Sequence, residues 1–282
     1  MKVLILGGTG MLGHVLVQYF TALEEYTVTY TTRNPEDRSS LQLDVTDSQA
    51  VDCLIDVIRP HLIINATGVL NGDAQKNSRT AYHVNGFLPH QLRHAADRVG
   101  AKLIHVSTDC VFLGDKGGYT EQTLPDGKSV YARTKAIGEV RGERHLTIRT
   151  SIIGPEIRQD GIGLLNWFLQ QEGEVSGYRH VYWNGITTLE LAKAIHSLWK
   201  QPVSGLIHLV SPQIISKYEL LLLFQEIWRI PGIRIVPSDL PVLDRTLVST
   251  REDVNYSVPG YHEMLKELEE WTRSTTDNPT LS

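Results

Sequence analysis

The chain has 282 residues, 41% hydrophobic and 21% charged, with a net charge of -5; Lys and Arg are scattered, which leaves no basic patch for nucleic acid or an anionic membrane. No apolar stretch approaches a membrane span and the opening residues read as strand rather than as a secretory leader, so a soluble cytoplasmic protein is expected. Cys53 and Cys110 are the two cysteines, too few for a disulfide framework and without metal-type spacing; both are expected as buried thiols, and the histidines show no ligand spacing, so no metal is expected.

Met1-Lys-Val-Leu-Ile-Leu-Gly7 is an apolar run ending in glycine, followed by a segment that sets Met11, Leu12, Val15, Leu16, Tyr19, Phe20 and Leu23 on one helical face. Gly7-x-x-Gly10-x-x-Gly13 therefore lies between strand and helix. Gly7 suits the φ > 0 a tight turn needs, Gly10 admits backbone to a pyrophosphate, and Gly13 lets helix and strand close up, with phosphates facing the helix N-terminus. Thr9, Met11 and Leu12 of the same turn are candidate cofactor contacts. A glycine-rich turn with no ligand is the bland alternative.

Thr27-Val-Thr-Tyr-Thr-Thr-Arg33 and Leu41-Gln-Leu-Asp44 read as the next strands. Asp47 is placed to cap a helix with Val51, Leu54, Val57 and Ile58 inward, which Pro60 ends before the strand Leu62-Ile-Ile-Asn65. Residues 82–99 read as a helix closed by Gly100, then Lys102-Leu-Ile-His-Val-Ser107 as a strand. The alternation predicts an α/β fold, a doubly wound parallel sheet of Rossmann type, with a smaller C-terminal substrate-binding lobe. The expected division is 1–155 for dinucleotide, 156–272 mainly for substrate with some elements returning to the first domain, and 273–282 as a frayed tail. Capping boxes at Thr187-x-x-Glu190 and Ser216-x-x-Glu219 mark two helices of the second part.

A NAD-selective site carries a carboxylate at the end of the second strand; here that position holds Arg33, which can pair with a 2′-phosphate by bidentate hydrogen bonds. NADPH/NADP+ is the expected cofactor, with NADH possible and an exposed loop arginine as the plain alternative. Thr31 and Thr32 can add hydroxyls, and Asp44 and Val45 end the third strand beside the adenine. Downstream, Ser107-Thr108-Asp109 closes a strand, and Tyr131-Ala-Arg-Thr-Lys135 puts Tyr131 and Lys135 on one helical face. Alone the pair is weak evidence; at strand C-termini, which line the ligand crevice of an open α/β sheet, it becomes a candidate catalytic set with Thr108.

At these residues the chain resembles the extended short-chain dehydrogenase/reductase superfamily. Ser107-Thr-Asp-Cys-Val-Phe112, Gly114, Gly118, Tyr119, Glu121, Tyr131-x-x-x-Lys135-x-x-Gly138-Glu139, Asn65-Ala66-Thr67 and Val84-Asn85 resemble the dTDP-4-dehydrorhamnose reductase family within it. The resemblance covers about the first 155 residues well and the remainder loosely. It implies that Tyr131 protonates a carbonyl oxygen, that Thr108 hydrogen-bonds the same oxygen, and that Lys135 lowers the tyrosine pKa and holds the nicotinamide ribose, near Ala66 and Thr67. It also implies a nucleotide-sugar substrate, a 4-keto-6-deoxyhexose, with a homodimer possible and neither nucleic acid nor membrane as partner.

The family's usual aromatics are replaced by Cys110 and Ile152, and its Gly-x-Pro-Thr segment by Trp183-Asn-Gly-Ile-Thr187, which opens the identity of sugar and nucleotide. Asp109, Cys110, Ile152 and Trp183 are the substrate-side candidates; Trp183 either stacks on the ligand or packs in the ordinary way. Arg245 either binds a diphosphate or is a solvated loop residue. A nucleotide-sugar epimerase using NAD, or an NADP-binding regulatory subunit without turnover, are the competing readings.

Overall fold

The computed structural model describes residues 1–157 and 161–276. Seven strands form one wholly parallel sheet: β1 (Lys2–Leu6), β2 (Thr27–Thr32), β3 (Leu41–Gln42), β4 (Leu62–Asn65), β5 (Lys102–Thr108), β6 (Leu146–Thr150) and β7 (Gly205–His208), in spatial order β7-β6-β5-β4-β1-β2-β3. The order reverses between β1 and β4, whose ends Leu6 and Asn65 lie side by side, and that switch point is where an open α/β sheet leaves a crevice.

Alternation along the strands feeds two cores. Val3 and Ile5 of β1, with Leu62 and Ile64 of β4, face one cluster; Leu4 and Leu6, with Ile63, face the other. Helix α1 (Met11–Thr21) covers the first face through Leu12, Val15, Leu16 and Phe20. On the second face lie α2 (Ser48–Ile58) and α3 (Leu88–Val99). Burying each such aliphatic side chain is worth about 1.5–3 kcal/mol.

Local signals act largely where the sequence puts them. The Asp47 carboxylate accepts from the N–H groups of Gln49 and Ala50, both at 3.0 Å. The buried face of α2 is Val51 and Ile55, however, and Val57 points to solvent at 76% exposure; i and i+4 are aligned on a helix, and position 57 is rotated off that stripe. Cys53 sits on the same outer side and is exposed, so only Cys110, half-buried, approaches the enclosed thiol expected of both. Residues 82–99 split into a π-helical turn, Tyr82–Phe87, and α3, closed by Gly100 at φ +81°.

The chain leaves the sheet after β6 and comes back. Helix α4 (Val130–Ile137) precedes β6, and α5 (Thr188–Trp199) packs beside α1 on the first face. Strand β7 then adds to the free edge of β6. Between and after these lie the lobe's own pieces: Gly173–Tyr178 pairs with Ile233–Ser238, and Val181–Trp183 is flanked by Ile215–Ser216 and Leu243–Asp244. Helix α6 (Lys217–Ile227) begins with a complete capping box between Ser216 and Glu219. At Thr187 the box is half made: its hydroxyl accepts from Glu190 N–H at 3.1 Å, while the Glu190 carboxylate accepts from the Tyr256 hydroxyl at 2.6 Å. The last helix, α7 (Tyr261–Thr276), continues through the start of the tail expected to fray from 273, because Met264, Leu265 and Leu268 anchor its inner face; positions 277–282 lie outside the described residues. Among the described residues no helix is long and apolar enough to cross a membrane.

Candidate active site

Gly7 takes φ +81° and turns the chain from β1 toward α1, with its carbonyl accepting from Gly10 N–H at 3.0 Å. A Cβ on Gly13 would stand 1.9 Å from that same carbonyl oxygen, so only glycine lets α1 approach the turn this closely. A Cβ on Gly10 would meet only the Gly7 oxygen, at 3.4 Å, and its other side is open to the crevice. The glycines thus hold three different jobs: turn, open wall and close packing.

Two adjoining cavities run along the sheet's C-terminal edge. The first, about 180 Å³, is lined by Gly7, Thr9, Gly10, Arg33, Asp44, Val45, Ala66 and Thr67 among others. Arg33 is exposed on its rim and enters none of the ion pairs found among the described residues. The Thr32 hydroxyl bonds that of Thr9 at 3.2 Å, and Asp44 is held below the usual carboxylate range chiefly by the Thr46 N–H and hydroxyl, with Arg33 adding to it. A glycine turn with an open wall, two threonine hydroxyls and an exposed guanidinium at the far end fit a dinucleotide with a 2′-phosphate.

The second cavity, about 370 Å³, is lined by Met11, Leu12, Thr108, Asp109, Cys110, Tyr131, Lys135 and Ile152, and shares Gly10, Ala66 and Thr67 with the first. Strand β5 delivers Thr108 at its last position, and Ser129 caps α4 by accepting from Ala132 N–H at 3.0 Å, which sets Tyr131 and Lys135 one turn apart. Thr108 Oγ1 donates to Asp109 Oδ1 at 3.1 Å and accepts from Cys110 N–H at 3.1 Å. Burial raises the Tyr131 phenol above its ordinary range; Cys110 and Asp109 act in the same direction, and a hydrogen bond with Thr108 opposes them. Lys135, expected to lower that value, is not among the groups that set it here, and its own charge is turned elsewhere. Its ammonium donates to the Val106 carbonyl at 2.7 Å, lies 3.5 Å from His105 Nε2, and is pulled down to about 8 by burial, against the pull of Glu139.

Trp183 is not brought to the cleft. It is buried, stacked on Tyr261 with ring centroids 5.5 Å apart, in the hydrophobic core. Its upper face meets Lys217, the first residue of α6, whose Nζ is 4.7 Å from the ring centroid. Burial lowers Lys217 to about 8, with Asp109 and Cys110 opposing. Arg245 is no solvated loop residue either: it donates to the Phe112 carbonyl at 3.0 Å and reaches Cys110 Sγ at 3.8 Å. Burial raises Asp109, offset by Arg245, Thr108 and Lys217, and drives the Cys110 thiol up to about 12. Lys217 escapes a reading of the sequence, although a cation in the first turn of a capped helix, at the positive end of its dipole, is the anomaly that marks it.

Several residues of the shared pattern turn out to be scaffold. Glu139 accepts from Arg149 Nε and Nη2 at 2.5 and 2.6 Å and from the Ser107 hydroxyl at 2.9 Å, all buried. The Arg149 guanidinium lies 5.1 Å from the Phe112 ring, which stacks on Tyr119 at 4.2 Å. Glu121 accepts from His208 N–H and from the N–H and hydroxyl of Thr250, fastening β7. These contacts bind α4, β5, β6 and β7 into one block beneath Lys135. No group of His, Cys, Asp and Glu among the described residues is arranged to hold a metal ion.

The fold and parts of the sequence recur in known proteins. A dTDP-4-dehydrorhamnose reductase from Mycobacterium tuberculosis is 43% identical over 109 residues, 36% of this chain and 34% of its own length. A dTDP-4-keto-6-deoxy-D-glucose reductase from Streptomyces niveus is 29% identical over 248 residues, covering 84% and 82%. Methionine adenosyltransferase 2 subunit beta of Mus musculus is 32% identical over 139 residues, 49% of this chain and 41% of its own. The chain thus matches only about a third of the length of the first of these relatives. Among solved structures, dTDP-4-dehydrorhamnose reductase from Bacillus anthracis, in complex with NADP, superposes with a TM-score of 0.83 at 22% identity over 96% of this chain and 99% of that one, a likeness of fold. The model of the RmlD substrate binding domain matches residues 1–240, through the glycine turn, both cavities and into the second lobe, and by that extent of match the chain belongs to this family.

Proposed function

We propose that the protein is an NADPH-dependent reductase of a nucleotide-linked 4-keto-6-deoxy sugar, of the dTDP-4-dehydrorhamnose reductase kind, serving deoxysugar synthesis in the cytoplasm. The observation that carries this reading is a pair of adjoining cavities sharing Gly10, Ala66 and Thr67, with the glycine turn and exposed Arg33 in one and Thr108, Tyr131 and Lys135 in the other. When bound, the reduced nicotinamide supplies the hydride that adds to the sugar's carbonyl carbon.

The carbonyl oxygen sits between the Tyr131 phenol and the Thr108 hydroxyl, gains the phenol proton and leaves a phenolate. Burial keeps the Tyr131 phenol protonated before the transfer; the same burial makes it a weaker acid, so the hydrogen bond from Thr108 to the developing oxyanion matters the more. Thr108 steadies the oxygen as charge develops, released from Asp109 for the purpose. Lys135, with one hydrogen committed to Val106, directs the others at the nicotinamide ribose. Asp109, Cys110 and Ile152 line the sugar side. Arg33 would pair with the 2′-phosphate; residues 9–12, Ala66 and Thr67 would hold the phosphates and ribose, and Asp44 and Val45 the adenine.

The test is loss of NADPH absorbance with dTDP-, UDP- and GDP-linked 4-keto-6-deoxy sugars, against Tyr131→Phe as control. Turnover with one donor, reduced roughly 10²–10⁴-fold in the control, supports the reading and identifies the nucleotide. NADPH binding without turnover on any of them refutes it in favour of an NADP-binding regulatory subunit, the reading that goes with the likeness to methionine adenosyltransferase 2 subunit beta.

A further inference from the structure

Beneath Lys135 lies a buried polar chain with no part in the proton transfer described above. Asn65 at the end of β4, His105 in β5 and Lys135 in α4 are all enclosed, the first two at 0% exposure and the third at 4%. Asn65 Oδ1 accepts from both Thr67 groups, the N–H at 3.1 Å and the hydroxyl at 2.6 Å. A backbone N–H can only donate, so the oxygen of the Asn65 amide is fixed toward Thr67 and its NH₂ is fixed the other way. That NH₂ lies 3.1 Å from His105 Nδ1, which must therefore offer a lone pair. In a neutral imidazole the proton then resides on Nε2, and Nε2 stands 3.5 Å from Lys135 Nζ.

We infer that His105 is a positioning residue for Lys135, locked by Asn65 as the Nε2–H tautomer so that it presents a donor, not an acceptor, to the lysine nitrogen. A donor on that side gives the ammonium nothing to bond and gives the uncharged amine a partner for its lone pair. Whatever hydrogens Lys135 carries are steered to Val106 and to the open cleft. The lock begins at Thr67, on the cofactor wall, so the crevice that receives the dinucleotide and the state of Lys135 are joined through four side chains in contact. The other titratable groups facing this chain are Tyr131 on α4, Glu139 two residues past its end, and His90 on α3. Burial keeps His105 neutral, well below the ordinary imidazole range, with Lys135 and His90 acting in the same direction.

The inference deepens the proposed reductase and takes its functional meaning from it, but its test needs no turnover. Nitrogen NMR of the full chain, labelled in histidine and lysine, reads the tautomer and the Lys135 titration directly. The expected results are a neutral His105 protonated at Nε2 and a Lys135 amine titrating near 8. Asn65→Asp keeps the acceptor toward Thr67 but turns a second oxygen on Nδ1, reversing the tautomer and offering Nε2 as an acceptor, and Lys135 then titrates about one to two units higher. His105→Asn, which adds no charge, keeps an acceptor for Asn65, replaces the ring N–H that faces Lys135 by the NH₂ of a shorter side chain and moves the titration upward too. A wild-type His105 protonated at Nδ1, or a Lys135 titration unmoved in both variants, overturns the inference. A correct tautomer in a chain that reduces no sugar overturns only the proposed function.

Discussion

Alanine at Gly13 and alanine at Gly10 separate packing from binding within one turn. At Gly13 the new Cβ meets the Gly7 oxygen at 1.9 Å, the Gly7 carbonyl carbon at 2.8 Å and Gly8 Cα at 2.9 Å, all of them backbone. Nothing there is the end of a flexible side chain, so α1 must lift from β1 by more than an ångström. Overpacking a core costs about 1–3 kcal/mol, and a clash against backbone lies at the upper end; at roughly 2–4 °C per kcal/mol for a chain of this size, Gly13→Ala lowers the Tm by roughly 6–12 °C. Gly10 has φ -77° and ψ 170°, ordinary extended backbone, and its Cβ finds only one contact at 3.4 Å. Gly10→Ala therefore keeps the Tm within about 2 °C but puts a methyl on the cofactor wall and weakens NADPH binding roughly tenfold or more, the worth of one charge-assisted backbone contact. Thermal melts with and without NADPH, and fluorescence titration of the cofactor, check both. Equal Tm losses in the two variants, or unchanged NADPH affinity in Gly10→Ala, refute the assignment of roles.

Arg33→Ser removes the guanidinium from the cavity rim and raises the Kd for NADPH roughly 10- to 100-fold while leaving NADH alone; parallel titrations with the two cofactors decide it. Arg149→Met strands the Glu139 carboxylate among Ser107 and β6 and lowers unfolding stability by about 3–5 kcal/mol, and adding Glu139→Gln restores part of the loss, as chemical denaturation of the single and double variants will show. Lys135 binds its proton less tightly when folded, at about 8, than in the unfolded chain at the ordinary 10.5. The unfolded state thus carries more protons between those values, stability contributed by this group rises with pH across that window, and Lys135→Met flattens the rise in denaturation midpoints.

What the sequence disclosed and what it hid divide along contact distance. The glycine turn was legible because each glycine's task is set by neighbours within a few positions, and Thr108, Tyr131 and Lys135 were legible because a strand end and a capped helix N-terminus place them. The state of Lys135 was not, since His105 and the Val106 carbonyl reach it from another strand and Asn65 acts on His105 from a third element. Trp183 carries the composition of a stacking residue, and only the arrival of Tyr261 from the last helix shows that its partner is internal. Val57 was misplaced by reading apolar character without its angle on the helix, and Cys53 by reading thiols as buried by default. Phe112, Tyr119, Glu121 and Glu139, all members of a functional-looking pattern, prove to be the frame that holds α4 against the sheet.

The return of the chain to the sheet at β7 bears on how the protein can be divided. Cutting after residue 155 would leave β6 with a row of unpaired backbone groups along Leu146, Thr147, Ile148 and Arg149, and would take from Arg149 its contact with His208. An open, apolar strand edge of that kind recruits other chains. The first 155 residues are therefore not a module that can be excised, expressed alone or grafted: the outermost stave of their sheet is supplied by the polypeptide only after the second lobe has begun, and nascent chains must wait for residue 208 before the sheet is sealed.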